Sequence, residues 1–333
     1  MTLRIRVEGA GVAAWTAAAL LARRGCAVNV HAECGAQERI VAVPAKTVAL
    51  FEDCLGVAIE AMTPSRWVEK RCVAWEGRDL TGIPARALVC DASALAEALR
   101  VHFIDEMDAS LEHEWVLCAK GRTRGDTVVE AGVRRAVVGR MEIPDGFPNE
   151  AMVVAATPGG WIFAVVRPDG DLAVVSIDPS IELVAETVLR ESVDFLWPGF
   201  GAQVLVLGAG TAAPSFDRTC ATQGRIALGD NALALDPLRG DGIGFAVRGA
   251  LLAQAVLGAI ASDGAIEARL DYYRDRLSHV FLGHVRGCAA HYEAAWNEPI
   301  WRREIVLMRS VLRRIPMDNK FRFRLIGKEL RST

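Results

Sequence analysis

Residues 9–14, which read Gly-Ala-Gly-Val-Ala-Ala, match the G-x-G-x-x-A pattern that binds the pyrophosphate of a dinucleotide. In such a motif Gly9 would permit a tight turn, Gly11 would let the pyrophosphate approach the backbone, and Ala14 would let the next helix pack closely on the strand. The first amides of that helix and the positive end of its dipole would then face the phosphates. Glu33, at the end of the following strand, is placed to accept hydrogen bonds from a ribose.

A second group of glycines and carboxylates follows more than two hundred residues later, in the segment GDNALALDPLRGDGIG at residues 229–244. A carboxylate directly after a strand, as at Asp230, suits the hydroxyl groups of a ribityl chain. The loop that follows could run close under a flat ring because Gly240 and Gly242 carry no side chain. The helix that begins near Ile243 would direct its dipole at one end of that ring and stabilise negative charge there.

Both motifs need strands and helices to hold them, and the surrounding sequence predicts these elements. The first motif lies between two alternating segments, LRIRVEG and AVNVHAE, and opens the helical segment AAWTAAALLARRG, which together predict a β-α-β unit. From about residue 127 the sequence changes to strands and turns, among them GWIFAVVRPDGDLAVVSI with a hairpin signal at its centre. After about residue 263 the pattern is helical to the end.

We therefore predict an α/β fold in which a Rossmann-like domain is interrupted by a second domain. The predicted boundaries are 1–60, 85–126 and 208–262 for the discontinuous, Rossmann-like cofactor-binding domain, 61–84 and 127–207 for a mostly antiparallel β-sheet substrate domain, and 263–333 for a helical C-terminal region.

The composition restricts the function classes and the compartment. The 333 residues carry a formal net charge of −3, which is too small to predict nucleic-acid binding. The eight cysteines include no C-x-x-C pair and have apolar neighbours, so we expect reduced thiols and a cytoplasmic protein. No segment reads as a transmembrane helix. His279, His284 and His291 do not share one helix face, so we predict no metal site.

The segment from residue 229 to 256, GDNALALDPLRGDGIGFAVRGALLAQAV, closely resembles the second flavin fingerprint of one flavoprotein monooxygenase superfamily. That superfamily contains p-hydroxybenzoate hydroxylase-like aromatic hydroxylases, tryptophan halogenases and geranylgeranyl reductase-like proteins. Its fingerprint is a strand, Gly-Asp, a loop with Asp-Pro, then Gly-x-Gly and a helix. The segment ERIVAVPAKTVALFEDCLG is similar to its arginine followed by a helix ending in Leu-Gly, and WVLCAKGRTRG resembles its ID-A-x-G-R turn.

The resemblance implies that the cofactor is FAD and that the Rossmann-like domain is an FAD-binding domain. Gly229 and Asp230 would bind FAD, Pro237 would lie near the reactive face of the flavin, and Arg39 would contact the cofactor. The complete set of predicted cofactor residues is Gly9, Gly11, Ala14, Glu33, Arg39, Gly229, Asp230, Pro237, Gly240, Gly242 and Ile243.

Three activities share this scaffold. An FAD-dependent monooxygenase would use reduced flavin and O2 to hydroxylate an aromatic ring. Trp161 and Phe163 lie on one face of a predicted strand, where they would either form the substrate wall or belong to the sheet core. A halogenase would need a lysine where the segment EKRCVAWEG has Arg71, and arginine cannot form the same amine adduct. A geranylgeranyl reductase-like oxidoreductase would act on an apolar lipid.

We favour hydroxylation, in which the flavin itself carries the reaction. Arg71 and Pro237 are the candidate catalytic residues, and Arg71 is also a candidate substrate residue with Trp161 and Phe163. The substrate would be an aromatic small molecule or a tryptophan in a peptide or partner protein. The alternative from another class is a non-catalytic flavin-binding partner protein.

Two further features concern partners. The Asp-Gly motif that the superfamily's self-sufficient hydroxylases use with nicotinamide has no convincing copy in this sequence, so we expect a separate flavin reductase to supply electrons. The basic, amphipathic segment WRREIVLMRSVLRRIP could lie on a membrane surface. We favour instead a terminal helix that covers the protein's own core.

Overall fold

The computed structural model describes residues 3–32, 38–75, 79–107, 113–178, 185–201, 203–315, 321, 323–327 and 329–332. In chain order, the strands are β1 (Arg4–Glu8), β2 (Ala27–His31), β3 (Ile40–Pro44), β4 (Ser65–Ala74), β5 (Thr81–Asp91), β6 (Trp115–Cys118), β7 (Val128–Glu130), β8 (Arg135–Met141), β9 (Ala151–Ala156), β10 (Trp161–Val166), β11 (Leu172–Asp178), β12 (Leu205–Thr211), β13 (Ser215–Asp217), β14 (Ala221–Thr222), β15 (Arg225–Ala227), β16 (Leu233–Ala234), β17 (Phe323–Ile326) and β18 (Glu329–Ser332). The α-helices are α1 (Val12–Ala22), α2 (Ala45–Leu55), α3 (Ile59–Met62), α4 (Ala92–Phe103), α5 (Ala185–Leu196), α6 (Gly242–Asp263), α7 (Ile266–Glu293) and α8 (Pro299–Arg314). Short 3-10 helices lie at Ile104–Glu106, Gly229–Asn231 and Pro237–Arg239.

A five-stranded sheet with the order β14-β15-β6-β1-β2 carries the first glycine motif. Four of its strands, β1, β2, β6 and β15, run parallel, and β14 pairs antiparallel with β15. The β-α-β unit predicted at the N-terminus is therefore confirmed. Nearly all of α1 is buried because the helix packs between this sheet and α6.

The second sheet has eight strands in the order β12-β8-β11-β10-β9-β4-β5-β3 and is mixed. β4 and β9 run parallel, while the other neighbouring pairs are antiparallel. β10 and β11 form the hairpin predicted from Arg-Pro-Asp-Gly-Asp, in which Gly170 has a φ of 101°. β3 and β5 both belong to this sheet, although the predicted boundaries place β3 and most of β5 in the Rossmann-like domain. β3 pairs antiparallel with β5 and forms one edge of this sheet.

A helix, α5, covers one face of the eight-stranded sheet, where the sequence pattern predicted only strands and turns. Val188, Leu189, Ser192 and Val193 are buried and recur at helical spacing. Their side chains pack against the buried residues of β10 and β11. The helix forms because this sheet face needs an apolar cover that the strands alone do not provide.

Helices α6, α7 and α8 complete the core. α6 is long and apolar enough to cross a membrane by composition, but 78% of its apolar window is buried inside the protein. The prediction of helix to the end of the chain is wrong, because β17 and β18 form a hairpin around Gly327, which has a φ of 61°. Phe323 of that hairpin packs edge-on against Tyr272 of α7, so the segment gains burial as a strand.

The apolar side of α8 packs against the protein's own core. Trp301, Ile305, Met308 and Val311 of this helix are buried in the largest cluster of core side chains. The interpretation of this segment as a helix that covers the core is therefore confirmed.

Candidate active site

Gly9 lies where β1 ends, at a position that only glycine can occupy. Its φ is 134°, and its amide donates to the carbonyl of His31 at 3.0 Å. A Cβ on Gly9 would stand 2.4 Å from the backbone oxygen of Ala119. The missing side chain therefore lets the turn pass directly over the end of β6.

The start of α1 is open in the way that a phosphate site requires. Gly11 is the N-cap residue, and no side chain caps the helix. A Cβ added to Gly11 would meet nothing within 4 Å. The start of α1 thus has open space beside Gly11 and no side-chain cap, and an anion placed there would interact favourably with the helix N-terminus.

The two glycine segments contact each other. Gly229 has a φ of 53°, and a Cβ on it would stand 2.9 Å from the Cβ of Ala13 in α1. The following helix α6 is held against α1 by Gln254, whose Nε2 donates to the carbonyl of Leu20 at 2.6 Å. Residues more than two hundred positions apart therefore form one continuous surface.

Asp230 is exposed beside this contact. Arg122, which is not among the predicted site residues, lies nearby. Burial lowers the pKa of the Arg122 guanidinium, and the negative charges of Asp230 and Glu130 oppose that shift. Asn231 fixes the turn through its Nδ2, which donates to Thr123 Oγ1 at 2.7 Å. The Gly-Arg turn in WVLCAKGRTRG, which resembles the superfamily's ID-A-x-G-R turn, is the sequence signal that points to Arg122.

The loop between Pro237 and Gly242 is exposed and continues the same surface. Gly240 has a φ of 60°, and a Cβ on it would stand 3.6 Å from the NH2 group of Arg71. Asp241 is paired with Arg248 of α6 at 2.6 Å. The structure therefore brings together this loop and Arg71, which lies on a strand of the eight-stranded sheet.

Asp236, immediately before that loop, is buried and holds the loop in place. Its carboxylate is 2.9 Å from Nε of Arg134 and accepts a hydrogen bond from the Tyr292 hydroxyl at 2.8 Å. Its backbone amide donates to Nε2 of His284 at 2.8 Å, so this ring nitrogen is unprotonated. Burial lowers the pKa of His284 to about 4, in agreement with a neutral imidazole.

A second buried carboxylate, Glu304 of α8, completes the pairing of Arg134. Oε2 of Glu304 lies 2.5 Å from NH1 of Arg134, and Oε1 accepts from the amide of Val133 at 2.9 Å. Burial lowers the pKa of Arg134, but its neighbours Tyr292, Asp236 and Glu304 outweigh burial and raise it overall. A charged arginine thus links the loop to α8. Sequence patterns did not predict this network because its members come from four distant segments.

The two aromatic residues predicted as a substrate wall have different environments. Trp161 is 2% exposed, and its Nε1 donates to the Tyr292 hydroxyl at 2.9 Å. Trp161 is therefore a packing residue and is closed off from a substrate. Phe163 is only half-buried and shares its sheet face with Arg71.

The remaining predicted cofactor residues are Glu33, Arg39, Ala14 and Ile243. Glu33 lies outside the described residues. Arg39 is exposed, and its backbone amide donates to Oδ2 of Asp91 at 2.7 Å. Its charge acts on Arg122, so the side chain lies on the same side of the molecule as Asp230. Ala14 and Ile243 are buried and support the two turns from behind.

Solved structures share this arrangement of sheets and helices. QhpG, a peptidyl tryptophan dihydroxylase essential for tryptophylquinone cofactor biogenesis, matches with a TM-score of 0.78 at 18% identity, over 100% of this chain and 86% of QhpG. CndH, a myxobacterial chondrochloren halogenase, matches with 0.76 at 16% identity, over 91% of this chain and 86% of CndH. CmlS, a flavin-dependent halogenase, matches with 0.75 at 13% identity, over 91% of this chain and 68% of CmlS.

This chain has the fold of flavin-dependent halogenases and of QhpG. No protein-family model matches the sequence, and no curated protein matches it.

The other grooves on the surface lie away from this site. Two grooves, one beside Glu186 and Arg190 and one between α3 and α4, contact none of the predicted cofactor residues. In the part of the chain that the structure describes, no three His, Cys, Asp or Glu side chains are grouped to hold a metal.

Proposed function

We propose that this chain is an FAD-dependent monooxygenase that hydroxylates an aromatic ring, with a tryptophan in a peptide or partner protein as the favoured substrate. The observation that carries the proposal is the contact between Gly229 and Ala13, which joins the two glycine segments at the open start of α1. The fold shared with a peptidyl tryptophan dihydroxylase supports the same conclusion.

The described residues would suit FAD from its pyrophosphate to its flavin ring. The open space at Gly11 and the uncapped start of α1 would take the pyrophosphate, and Asp230 would bind the ribityl hydroxyls. The exposed loop with Gly240 and Gly242 would lie beside the ring. When bound and reduced, FAD would supply the electrons that activate O2 for transfer of one oxygen atom to the substrate.

The protein's own residues would position the ring and the substrate. Asp236 fixes the start of the loop through Arg134, Tyr292 and His284, so the loop is held before any cofactor binds. The eight-stranded sheet would serve as the substrate domain and would exclude water from the side of the loop on which Arg71 and Phe163 lie. Electrons would come from a separate flavin reductase.

Halogenation is a second candidate because CndH and CmlS share the fold. Arg71 lies beside the loop, where its guanidinium stays protonated and provides no free amine. This residue therefore favours hydroxylation over halogenation.

Titration of the purified protein with FAD, followed by turnover with chemically reduced FAD, tests the proposal. We expect stoichiometric binding of FAD and the gain of one or two oxygen atoms by a tryptophan-containing peptide, detected by mass spectrometry with labelled O2. Asp230→Ala should weaken FAD binding. Failure to bind FAD would contradict the proposal, and a chlorinated product in chloride buffer would favour the second candidate.

A further inference from the structure

Arg71 is a half-buried cation without an acidic partner among the described residues. Its Nε is buried and makes no hydrogen bond. Burial lowers the pKa of its guanidinium, and no neighbouring charge contributes to that shift. A guanidinium removed from water without a counterion is unfavourable unless an anion binds to it.

The position of Arg71 places this unpaired charge at the edge of the proposed flavin loop. On β4 it pairs with Met152 of β9 and with Ile83 of β5, on a sheet face that it shares with Phe163. Its NH2 group lies 3.6 Å from the point where a Cβ on Gly240 would stand. An anion bound to Arg71 would therefore lie directly beside the loop.

Arg239 adds a second guanidinium next to Gly240. It is exposed, and no described carboxylate pairs with it. Its NH1 group lies 3.9 Å from the point where a Cβ on Gly287 of α7 would stand. The nearby carboxylate of Asp241 is engaged by Arg248 at 2.6 Å, so it does not neutralise Arg239.

Phe163 marks the side of Arg71 on which the aromatic ring of a substrate would lie. It pairs with Val154 of β9, which pairs in turn with Val73 of β4, two residues from Arg71. Phe163 and Arg71 lie two strand spacings apart across the sheet and two residues apart along the strands. Their Cα atoms are therefore roughly 12 Å apart. A ring packed on Phe163 could therefore carry a carboxylate that reaches Arg71 through a short linker.

We propose that the substrate carries a carboxylate close to its reacting ring and that Arg71 binds this carboxylate, with Arg239 adding positive charge to the same loop. Planar guanidinium groups suit a carboxylate because they can donate two hydrogen bonds in parallel. The carboxylate would belong to a free aromatic acid or to an Asp or Glu next to the aromatic residue of a peptide. The inference rests on the proposed function for the identity of the ring, but binding of the anion needs no turnover.

Calorimetric titration with matched acid and amide probes tests the inference in the FAD-loaded protein and in the protein without FAD. The small probes are indole-3-acetate and indole-3-acetamide, and the peptide probes are capped Asp-Trp-Asp and Asn-Trp-Asn. We expect one acid to bind about tenfold more tightly than its amide, as for hydrogen bonds to a charged group. The pair that shows the preference identifies the source of the carboxylate.

Variants assign the preference to the two arginines. Arg71→Gln and Arg239→Gln should each reduce the ratio of acid to amide affinity severalfold. Lys70→Gln is the matched control, because Lys70 is the exposed neighbour of Arg71 on the opposite strand face. This control should leave the ratio unchanged.

Three results would overturn the inference. In the first, neither acid binds more tightly than its amide. In the second, Lys70→Gln reduces the ratio as much as Arg71→Gln, which would indicate general charge attraction. In the third, Arg71→Gln weakens FAD binding and leaves the ratio of acid to amide affinity unchanged, which would indicate that Arg71 binds the cofactor and not the substrate. Failure of the proposed function is distinct, because it would appear as absence of FAD binding in the unsubstituted protein.

Discussion

Gly9 and Gly11 are two residues apart and lack a side chain for different reasons. Gly9 has a φ that L residues rarely adopt, and its missing Cβ makes room for a backbone oxygen of this protein. Gly11 has an ordinary extended conformation, with φ −82° and ψ 176°, and faces open space. The first glycine is thus required by the fold, whereas the second leaves open space at the start of α1.

Alanine substitutions separate these two roles. Gly9→Ala should lower the free energy of unfolding by roughly 2–4 kcal/mol, because the new Cβ meets the Ala119 oxygen. Gly11→Ala should cost at most about 1 kcal/mol, since alanine is a poorer N-cap than glycine. It should nevertheless weaken FAD binding strongly. Urea unfolding and FAD titration of both variants check this, and unchanged FAD affinity in Gly11→Ala would contradict the pyrophosphate site.

At the scale of elements, α7 supplies the imidazole that fixes the loop between Pro237 and Gly242. His284 is 3% exposed and accepts from the amide of Asp236. Its surroundings include Cys288 on the same helix at 3.4 Å, with Arg134 and Arg239 contributed by other segments. Because a proton on Nε2 would remove the acceptor, the loop requires the neutral form of this residue.

Stability should therefore fall as the solution becomes acidic. The pKa of His284 is about 4 in the folded protein and near 6.5 when unfolded, so between these values only the unfolded chain takes up the proton. The stabilising contribution is complete above pH 6.5 and is lost as the pH falls towards 4, with about 2 kcal/mol lost by pH 5. Urea unfolding at pH 7.5 and 5 measures this loss, and His284→Gln should reduce the difference between the two pH values. An equal difference in the variant would show that other groups cause the loss.

Local sequence predicted the elements whose cause is local. The first β-α-β unit, the β10–β11 hairpin and both glycine turns follow from patterns within a few residues. The Asp236 network could not be predicted in this way, because Arg134 and Glu304 are 170 positions apart and only the fold brings them together. The burial of Trp161 has the same origin, since Tyr292 of α7 covers it. Strand alternation alone could not distinguish Trp161 from Phe163.

At the scale of the whole molecule, the two large sheets share one core. The largest cluster of buried side chains includes Ile5 of β1 together with Val154 and Ile177 of the eight-stranded sheet. Tyr292 and Trp301, from α7 and α8, also belong to it. The regions predicted as separate domains are therefore joined by continuous packing.

This shared core predicts that the protein unfolds in a single step. Calorimetry should show one transition both with and without FAD, because neither sheet can lose its packing while the other keeps its own. FAD at about 100 times its dissociation constant should add about 2.7 kcal/mol to the free energy of unfolding. Two separate transitions, of which FAD moves only one, would show that the sheets unfold independently.

The partnership of Arg134 with Glu304 has a consequence for the order of events during synthesis on the ribosome. The loop that begins at Asp236 is made before α8, so its buried arginine lacks one of its two carboxylates until α8 has left the ribosome. The upstream glycine turn and its β-α-β unit can form earlier, because the pairing of β1 with β2 and β6 and the packing of Gly9 on Ala119 need only residues 4–119. A nascent chain would therefore acquire the proposed pyrophosphate site first and the proposed ring site last, and capture of the complete cofactor would be a late event in the maturation of this protein.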